Sequence, residues 1–413
     1  MKQVIVGNGP AGVAAARTLG KIAPRDEVVV ISEEAQPFYS KVLTSYFVAG
    51  KVPYENMLLA NAEEFQQAGV QLLTGKQAVR IDTAARIVSL SGGGKIGYDR
   101  LLIAAGAAPF APPIEGAKLP GVLTLWTHDD AVRLREQVKE GQRAVVIGGG
   151  LVGLKAAEAF IARGMSATVV ELLDRILPQL LLKEDAGIVQ RALEQKGLAV
   201  RTETGVMQIS GEGRVQQVTL SDGTMLPCDV VVVATGVRPN LALAKSAGIA
   251  IGRGILVDEY LRTSVRDVYA AGDVAEGWDL ARGRQLPNPT WGNASEQGRV
   301  AAHNMAGQTK PFNGAVTVNT FTFLGFRMAA VGITQPEGDF SQVQTYMDPR
   351  TGDCRKLIKL GDRLVGGIAI GDIRMAGIWR GLIAKKGPDA PVASGLLGSK
   401  TNFAWTHNLT LGD

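Results

Sequence analysis

A short run of β-branched residues ending at glycine, then Gly-x-Gly-x-x-Gly, then a stretch of small helix-forming residues, occurs twice in this chain, and few folds accommodate that order. The first copy is Val4-Ile-Val-Gly7-Asn-Gly9-Pro10-Ala11-Gly12, leading into Val13-Ala-Ala-Ala. The second is Ala144-Val-Val-Ile147-Gly148-Gly-Gly150-Leu151-Val152-Gly153, leading into a helix from Leu154 to Ala162. Each is followed by a second strand that runs out at a carboxylate: Val28 to Ile31 before Glu33, and Ala167 to Val170 before Glu171. Glu33 lies 21 residues beyond Gly12 and Glu171 lies 18 beyond Gly153, close to the ~20 that brings an acidic side chain to the ribose of a dinucleotide.

The residue types suit that chemistry. Gly7 and Gly148 permit a tight turn, Gly9 and Gly150 let a pyrophosphate approach the backbone, and Gly12 and Gly153 let the helix close on its strand. The opening turns, with Pro10 and Ala11 in one and Leu151 and Val152 in the other, aim helix N-termini at the phosphates. Two such sites in one chain are most simply two different dinucleotides facing each other.

Between the copies, Tyr98 to Gly106 reads as a buried strand ending in glycine, and Pro109, Pro112 and Pro113 mark a linker. Val230 to Gly236 is a further buried strand, and Arg238-Pro-Asn closes that unit near residue 240. Strand pattern resumes at Ile255 and runs through Val268 to Asp273, and a long amphipathic helix is expected over about Asn293 to Met305. The last hundred residues change character. Alternating stretches at Val316 to Phe323, Gln342 to Tyr346 and Lys356 to Leu360 predict an antiparallel sheet, with a helix around Ile373 to Ile383 and an irregular tail from Gly387.

Composition excludes several classes. With 46% hydrophobic and 20% charged residues the chain buries real cores and is not disordered. A net charge of +5, of which residues from 312 onward carry +3, is too mild and scattered for a nucleic-acid protein, though it suits an acidic partner. No window is apolar for long enough to span a membrane, and the N-terminus enters a strand directly rather than through a secretory signal, so a cytoplasmic protein is expected. Cys228 and Cys354 suggest neither a disulfide framework nor a thiolate metal site, and the three histidines lack ligand spacing, so no metal is expected.

With these motifs in place, the sequence resembles the two-dinucleotide flavoproteins of the pyridine nucleotide disulfide oxidoreductase superfamily over essentially its whole length. Five segments carry the likeness: Gly7 to Gly12, Ile103-Ala-Ala105-Gly106, Gly148 to Gly153, Ala234-Thr235-Gly236 and Ala271-Gly272-Asp273. The resemblance implies an α/β fold with two Rossmann-like domains, the NAD domain inserted in the FAD domain, and a C-terminal α+β interface domain. It assigns residues 1–112 and 241–311 to FAD, 113–240 to NAD(P)H and 312–413 to the interface domain, which often makes a dimer. Asp273 would bond the ribityl chain, and a helix beginning near Trp291 would point its positive end at the flavin ring. Hydride would then pass from NADH to flavin N5 and electrons onward to an acceptor.

Departures from the family pattern narrow the reading. The disulfide-reducing members carry a cysteine after the flavin's ribose carboxylate, and this chain has none before Cys228. Pro37 to Gly50 is instead similar to the cysteine-free nitrite, rubredoxin and ferredoxin reductase branch, with Lys41 in place of the usual arginine, either a flavin-facing cation or a solvated helix residue. Lys155 stands where many relatives have glutamate reaching the nicotinamide. It is either a cation beside the two rings or a lysine whose head finds solvent. Glu171 favours NADH over NADPH, because it would repel a 2′-phosphate, although Arg175 lies near enough to blur the preference.

Three functions remain: a reductase of a small iron–sulfur or rubredoxin-type protein, an NADH oxidase, or a non-catalytic nicotinamide-sensing subunit. A cysteine near residue 42 would favour a water-forming oxidase, and Val42 argues against it. For the first function, Arg355-Lys-x-x-Lys359 and Lys385-Lys386 are expected to form a docking surface, the alternative being ordinary solvated cations.

Overall fold

The structure, a computed structural model, describes residues 1–336 and 341–385. Two five-stranded parallel sheets repeat one plan. In the first, the order is Val268–Ala270, Arg100–Ile103, Lys2–Val6, Glu27–Ile31 and Val70–Leu73, with Val4 opposite both Val29 and Leu101. In the second, it is Leu198–Arg201, Ser166–Val170, Arg143–Ile147, Val230–Val233 and Val122–Leu123. The apolar runs of the sequence are explained by burial on both faces, as in Val230 to Val233, where all four residues are buried. Each glycine motif follows a central strand flanked on both sides by parallel neighbours, the crevice position where open α/β sheets take ligands.

The chain leaves the first sheet and returns to it at one place. Ala107–Pro109 pairs antiparallel with Val237–Pro239, and Asn240 fastens the crossing by donating its backbone N–H to the Gly106 carbonyl at 3.0 Å and its side-chain Nδ2 to the Ala105 carbonyl at 2.8 Å. The helix Trp291–Met305 then lies against the first glycine-motif helix, Pro10–Ile22. The approach is so close that a Cβ on Gly298 would sit 2.0 Å from the Ala11 carbonyl oxygen.

The last sheet is antiparallel, ordered Val318–Phe323, Phe326–Gly332, Arg363–Ile370, Cys354–Leu360 and Ser341–Met347. Three of its strands, Phe326–Gly332, Cys354–Leu360 and Arg363–Ile370, escape the alternation rule because Met328 to Gly332, Cys354 to Lys359 and Leu364 to Ile370 are buried without a break. The helix Ala376–Lys385 covers this sheet, and its fully buried Trp379 lies where a Cβ on Gly367 would come within 2.5 Å of the ring. The tail from Gly387, and Lys386 with it, lie outside the described residues.

The Arg355-to-Lys359 part of the expected basic docking surface is corrected here, whereas Lys385, at the end of the helix Ala376–Lys385, is exposed. Arg355, Lys356 and Lys359 are only 3%, 7% and 8% exposed: Lys356 faces the helix Lys183–Glu194, and Arg355 and Lys359 alternate to the other face of the sheet, the side on which Leu357 packs with Trp379. Arg355 pairs with Asp372 at 2.7 Å, and Lys356 with Asp185 at 3.0 Å and Glu184 at 3.1 Å. Buried cations that tie parts of the chain together offer no docking surface. Among the described residues no helix is long and apolar enough to cross a membrane.

Candidate active site

The two glycine motifs fold into near-identical cradles. Gly7 has φ +118° and a Cβ there would meet the Ala104 carbonyl oxygen at 2.1 Å; Gly148 has φ +109° and its Cβ would meet the Ala234 oxygen at 2.4 Å. Gly12 and Gly153 are closed in the same way, at 1.9 Å from the Gly7 oxygen and 2.0 Å from the Gly148 oxygen. The middle glycines differ: a Cβ on Gly9 or Gly150 would meet nothing within 4 Å. Packing therefore explains the outer glycines, whereas the middle ones front open space of the kind a pyrophosphate needs.

Helix termini support the same assignment. Gly9 and Gly150 are the N-cap residues of Pro10–Ile22 and Leu151–Ala162, and neither supplies a side-chain hydrogen bond to the first turn. The leading amides are left for an anion, and the helix dipole favours one. Asn8 places a buried Oδ1 without a partner in the first cradle. The residues present fit the pyrophosphate of a dinucleotide such as FAD or NADH in each cradle.

Around the first cradle the chain gathers residues distant in sequence. Gly272, at φ +83°, brings the turn before Asp273 against the glycine-motif helix, where its Cβ would touch that of Ala11 at 3.0 Å. Gln297 fixes this turn by accepting the Gly272 N–H at 2.7 Å. Burial pushes the Asp273 carboxyl up to about 6, and the positive charge of Lys41 pulls against that shift, so the two side chains share one electrostatic site. Lys41 is itself paired with Glu34 at 2.7 Å and stands 5.5 Å from the centre of the Trp126 ring. Tyr39 donates to Glu34 at 2.5 Å, and burial raises its phenol pKa. Trp291 opens its helix from the N-cap Thr290, which makes no side-chain cap, and its ring lies 5.6 Å from that of Phe38. Glu33 is exposed at the end of its strand and accepts from Gln77 Nε2 at 3.0 Å.

At the second cradle Glu171 is buried against the glycine turn. Its Oε2 accepts the Gly149 N–H at 2.7 Å and its Oε1 the Leu173 N–H at 2.9 Å, which leaves lone pairs for ribose hydroxyls. Arg175 is turned away from this carboxylate and committed elsewhere, to Asp174 at 2.5 Å, the Leu181 carbonyl at 3.1 Å and Gln335 at 3.1 Å. Thr235 donates to the Phe110 carbonyl, and Gly106 and Gly236, both with positive φ, flank the crossing ribbon with open space where a Cβ would be.

Lys155 stands apart. Its ammonium bonds Glu158, Tyr46 and the Thr322 carbonyl, which joins it to the last sheet. Sequence reasoning missed Glu34, Tyr39, Glu158 and Gln297: Glu158 and Gln297 act on the distant Leu324 and Gly272, and Glu34 and Tyr39 sit beside Lys41 in sequence but carry no motif signal that marks them as its partners. Cys228 and Cys354 are buried, and desolvation pushes their thiols up to about 12 and about 11, so neither is a ready thiolate.

Comparison with known proteins agrees with this geometry. Residues 1–298 match the family model described as pyridine nucleotide-disulphide oxidoreductase. The chain is 30% identical over 371 residues to the nitrite reductase [NAD(P)H] of Bacillus subtilis, covering 89% of this chain and 45% of that protein. The chain thus spans about half the length of the first curated relatives it matches. It is 31% identical over 397 residues to the epsilon subunit of the NADH-dependent phenylglyoxylate dehydrogenase of Aromatoleum evansii, covering 95% of this chain and 94% of that one. Among solved structures, the covalent putidaredoxin reductase–putidaredoxin complex superposes with a TM-score of 0.91 at 26% identity, covering 100% of this chain and 99% of that one.

Proposed function

The chain belongs to the pyridine nucleotide-disulphide oxidoreductase family, and from that premise we propose that it is an FAD enzyme that takes reducing equivalents from NADH and delivers them to an external iron–sulfur or rubredoxin-type acceptor, as a separate protein or as a subunit of a complex. The observation that carries this reading is the pair of cradles, each open at its middle glycine and each headed by a helix without a side-chain cap. We assign residues 1–112 and 241–311 to FAD, 113–240 to NADH, and 312–413 to the interface unit.

In this assignment Gly7, Gly9, Pro10, Ala11 and Gly12 receive the FAD pyrophosphate and Glu33 its ribose. Lys41, Ala105, Gly106, Gly272, Asp273 and Trp291 line the remainder. Gly148, Gly150, Leu151, Val152 and Gly153 receive the NADH pyrophosphate, Glu171 its ribose, and Thr235 and Gly236 the far end. When bound, FAD supplies the two-electron acceptor for a hydride. The chain's own part is to orient both molecules, to set charge through Lys41 and Asp273, and to exclude water.

The acceptor is external because the chain holds only two cysteines, both buried with raised thiol pKa values, and Val42 stands exposed where a flavin-side cysteine would be expected. Its class is supported by the kinship with a reductase solved in complex with putidaredoxin and with a subunit of an NADH-dependent dehydrogenase.

Anaerobic titration tests the proposal. One equivalent of NADH should bleach one FAD per chain, with no thiolate-to-flavin charge-transfer band, and the reduced protein should then reduce a small ferredoxin or rubredoxin faster than oxygen. Turnover with oxygen alone would replace this reading by the oxidase. FAD that stays oxidised under excess NADH would make the chain a non-catalytic flavoprotein.

A further inference from the structure

Lys155 and Glu158 lie one turn apart on the helix Leu151–Ala162, and their 2.7 Å ion pair is largely buried, at 17% and 11% side-chain exposure. An i,i+3 pair on a solvated helix contributes only a few tenths of a kcal/mol. This one is different because both members also hold another part of the chain. Lys155 Nζ donates to the Thr322 carbonyl and to the Tyr46 hydroxyl at 3.2 Å, and Glu158 Oε1 accepts the Leu324 N–H at 3.1 Å.

Thr322 and Leu324 belong to the hairpin that joins Val318–Phe323 to Phe326–Gly332. Its two turn residues, Leu324 and Gly325, both have positive φ, +47° and +89°. Glycine tolerates this, whereas a leucine there is strained, so something outside the turn must hold it. Glu158 bonds the amide of that leucine, and Lys155 bonds the carbonyl two residues earlier. Tyr46 comes from the short helix Thr44–Val48, which follows the single turn Lys41–Leu43, and its ring lies 4.7 Å from the ammonium. Phe323 places a second ring 5.2 Å away. The three protons of the ammonium thus meet three acceptors from three parts of the chain, which leaves none for a dinucleotide.

We propose that Lys155 and Glu158 act together as positioning residues, a clamp that fixes the NADH-site helix to the flavin-side helix of Tyr46 and to the hairpin turn at Leu324. The inference rests on the assignment of FAD to the first cradle and NADH to the second. It replaces the sequence expectation that Lys155 is a cation beside the rings. Its function is to hold the two cradles at one separation, on which hydride transfer depends steeply.

The test compares wild type with Lys155→Met, Glu158→Gln and Tyr46→Phe, the last of which removes one hydroxyl and leaves the packing. Amide hydrogen exchange over residues 322–325 should quicken about tenfold or more in the first two variants, the scale of a lost charged hydrogen bond. The limiting rate of FAD reduction by NADH should fall in both by a similar factor, while reduction by dithionite and the flavin midpoint potential stay as in wild type. Tyr46→Phe should lower the NADH rate less and leave the hairpin amides protected. A lowered midpoint potential in Lys155→Met with hairpin exchange unchanged would overturn the clamp and restore the cofactor-facing cation. Unchanged exchange and unchanged NADH rate in both charge variants would overturn it as well. Wild-type protein that binds FAD but is not reduced by NADH would refute the proposed function instead, and hairpin exchange alone would then decide whether the clamp exists.

Discussion

Replacing Asp273 by asparagine should stabilise the flavin-free protein, and only above a definite pH. Burial raises this carboxyl from 3.8 to about 6, against the opposing pull of Lys41. Below about pH 4 the group is protonated in both the folded and the unfolded chain, so wild type and the amide variant differ little there. Between about pH 4 and 6 the folded state binds the proton that the unfolded state releases, so wild-type stability falls as pH rises. Above about pH 6 the folded protein carries a desolvated carboxylate, at a cost of about 3 kcal/mol for a gap of this size. Asp273→Asn should therefore gain nothing at about pH 4 and about 3 kcal/mol at about pH 8, read as the difference between urea unfolding curves of the two flavin-free proteins. In a Lys41→Met background the gain should be larger and reach its plateau at higher pH, because the charge that lowers the Asp273 pKa is gone. The same substitution should weaken FAD retention, since the carboxylate is assigned to a hydroxyl of the ribityl chain. A gain that is flat across this pH range, or one that shrinks with rising pH, would refute the argument.

Gly9→Ala should leave the flavin-free protein as stable as wild type to within about 1 kcal/mol, because its Cβ enters open space, yet cost FAD affinity; Gly12→Ala, whose Cβ would lie 1.9 Å from the Gly7 oxygen, should fail to fold normally by circular dichroism. Glu171→Ala should shrink the preference for NADH over NADPH in kcat/KM by roughly 1 to 3 kcal/mol, whereas Arg175→Ala should leave it unchanged, because that guanidinium is held by Asp174, Leu181 and Gln335. Lys356→Met should destabilise the protein by about 3 to 5 kcal/mol by stranding the fully buried Asp185, and the double variant Lys356→Met with Asp185→Leu should recover most of that loss in thermal unfolding.

Much of the site is written locally. A strand, a three-glycine turn and a helix occupy neighbouring residues, and the turn needs positive φ at Gly7 and Gly148 and closeness at Gly12 and Gly153 whatever surrounds it. That is why both glycine turns, the placing of Glu171 against the second and the parallel sheets behind them were legible, and why the helix Trp291–Met305 appeared within two residues of its expected start. The strands Phe326–Gly332 and Arg363–Ile370 were not, because burial on both faces erases the alternation by which a strand is recognised.

Charge was the least legible property, for a physical reason. A lysine's composition and position say that it is cationic, but its role depends on which carboxylate the fold delivers to it. Sequence therefore determined that the chain carries two strand–glycine turn–helix units and that its cysteines are Cys228 and Cys354. Tertiary structure alone decided that Lys41 meets Glu34 and acts on Asp273, that Lys155 turns to Glu158 and a strained hairpin, and that Arg355 and Lys356 are buried ties within the fold. Backbone turns are set by neighbours in sequence, whereas the energy of a charge is set by neighbours in space.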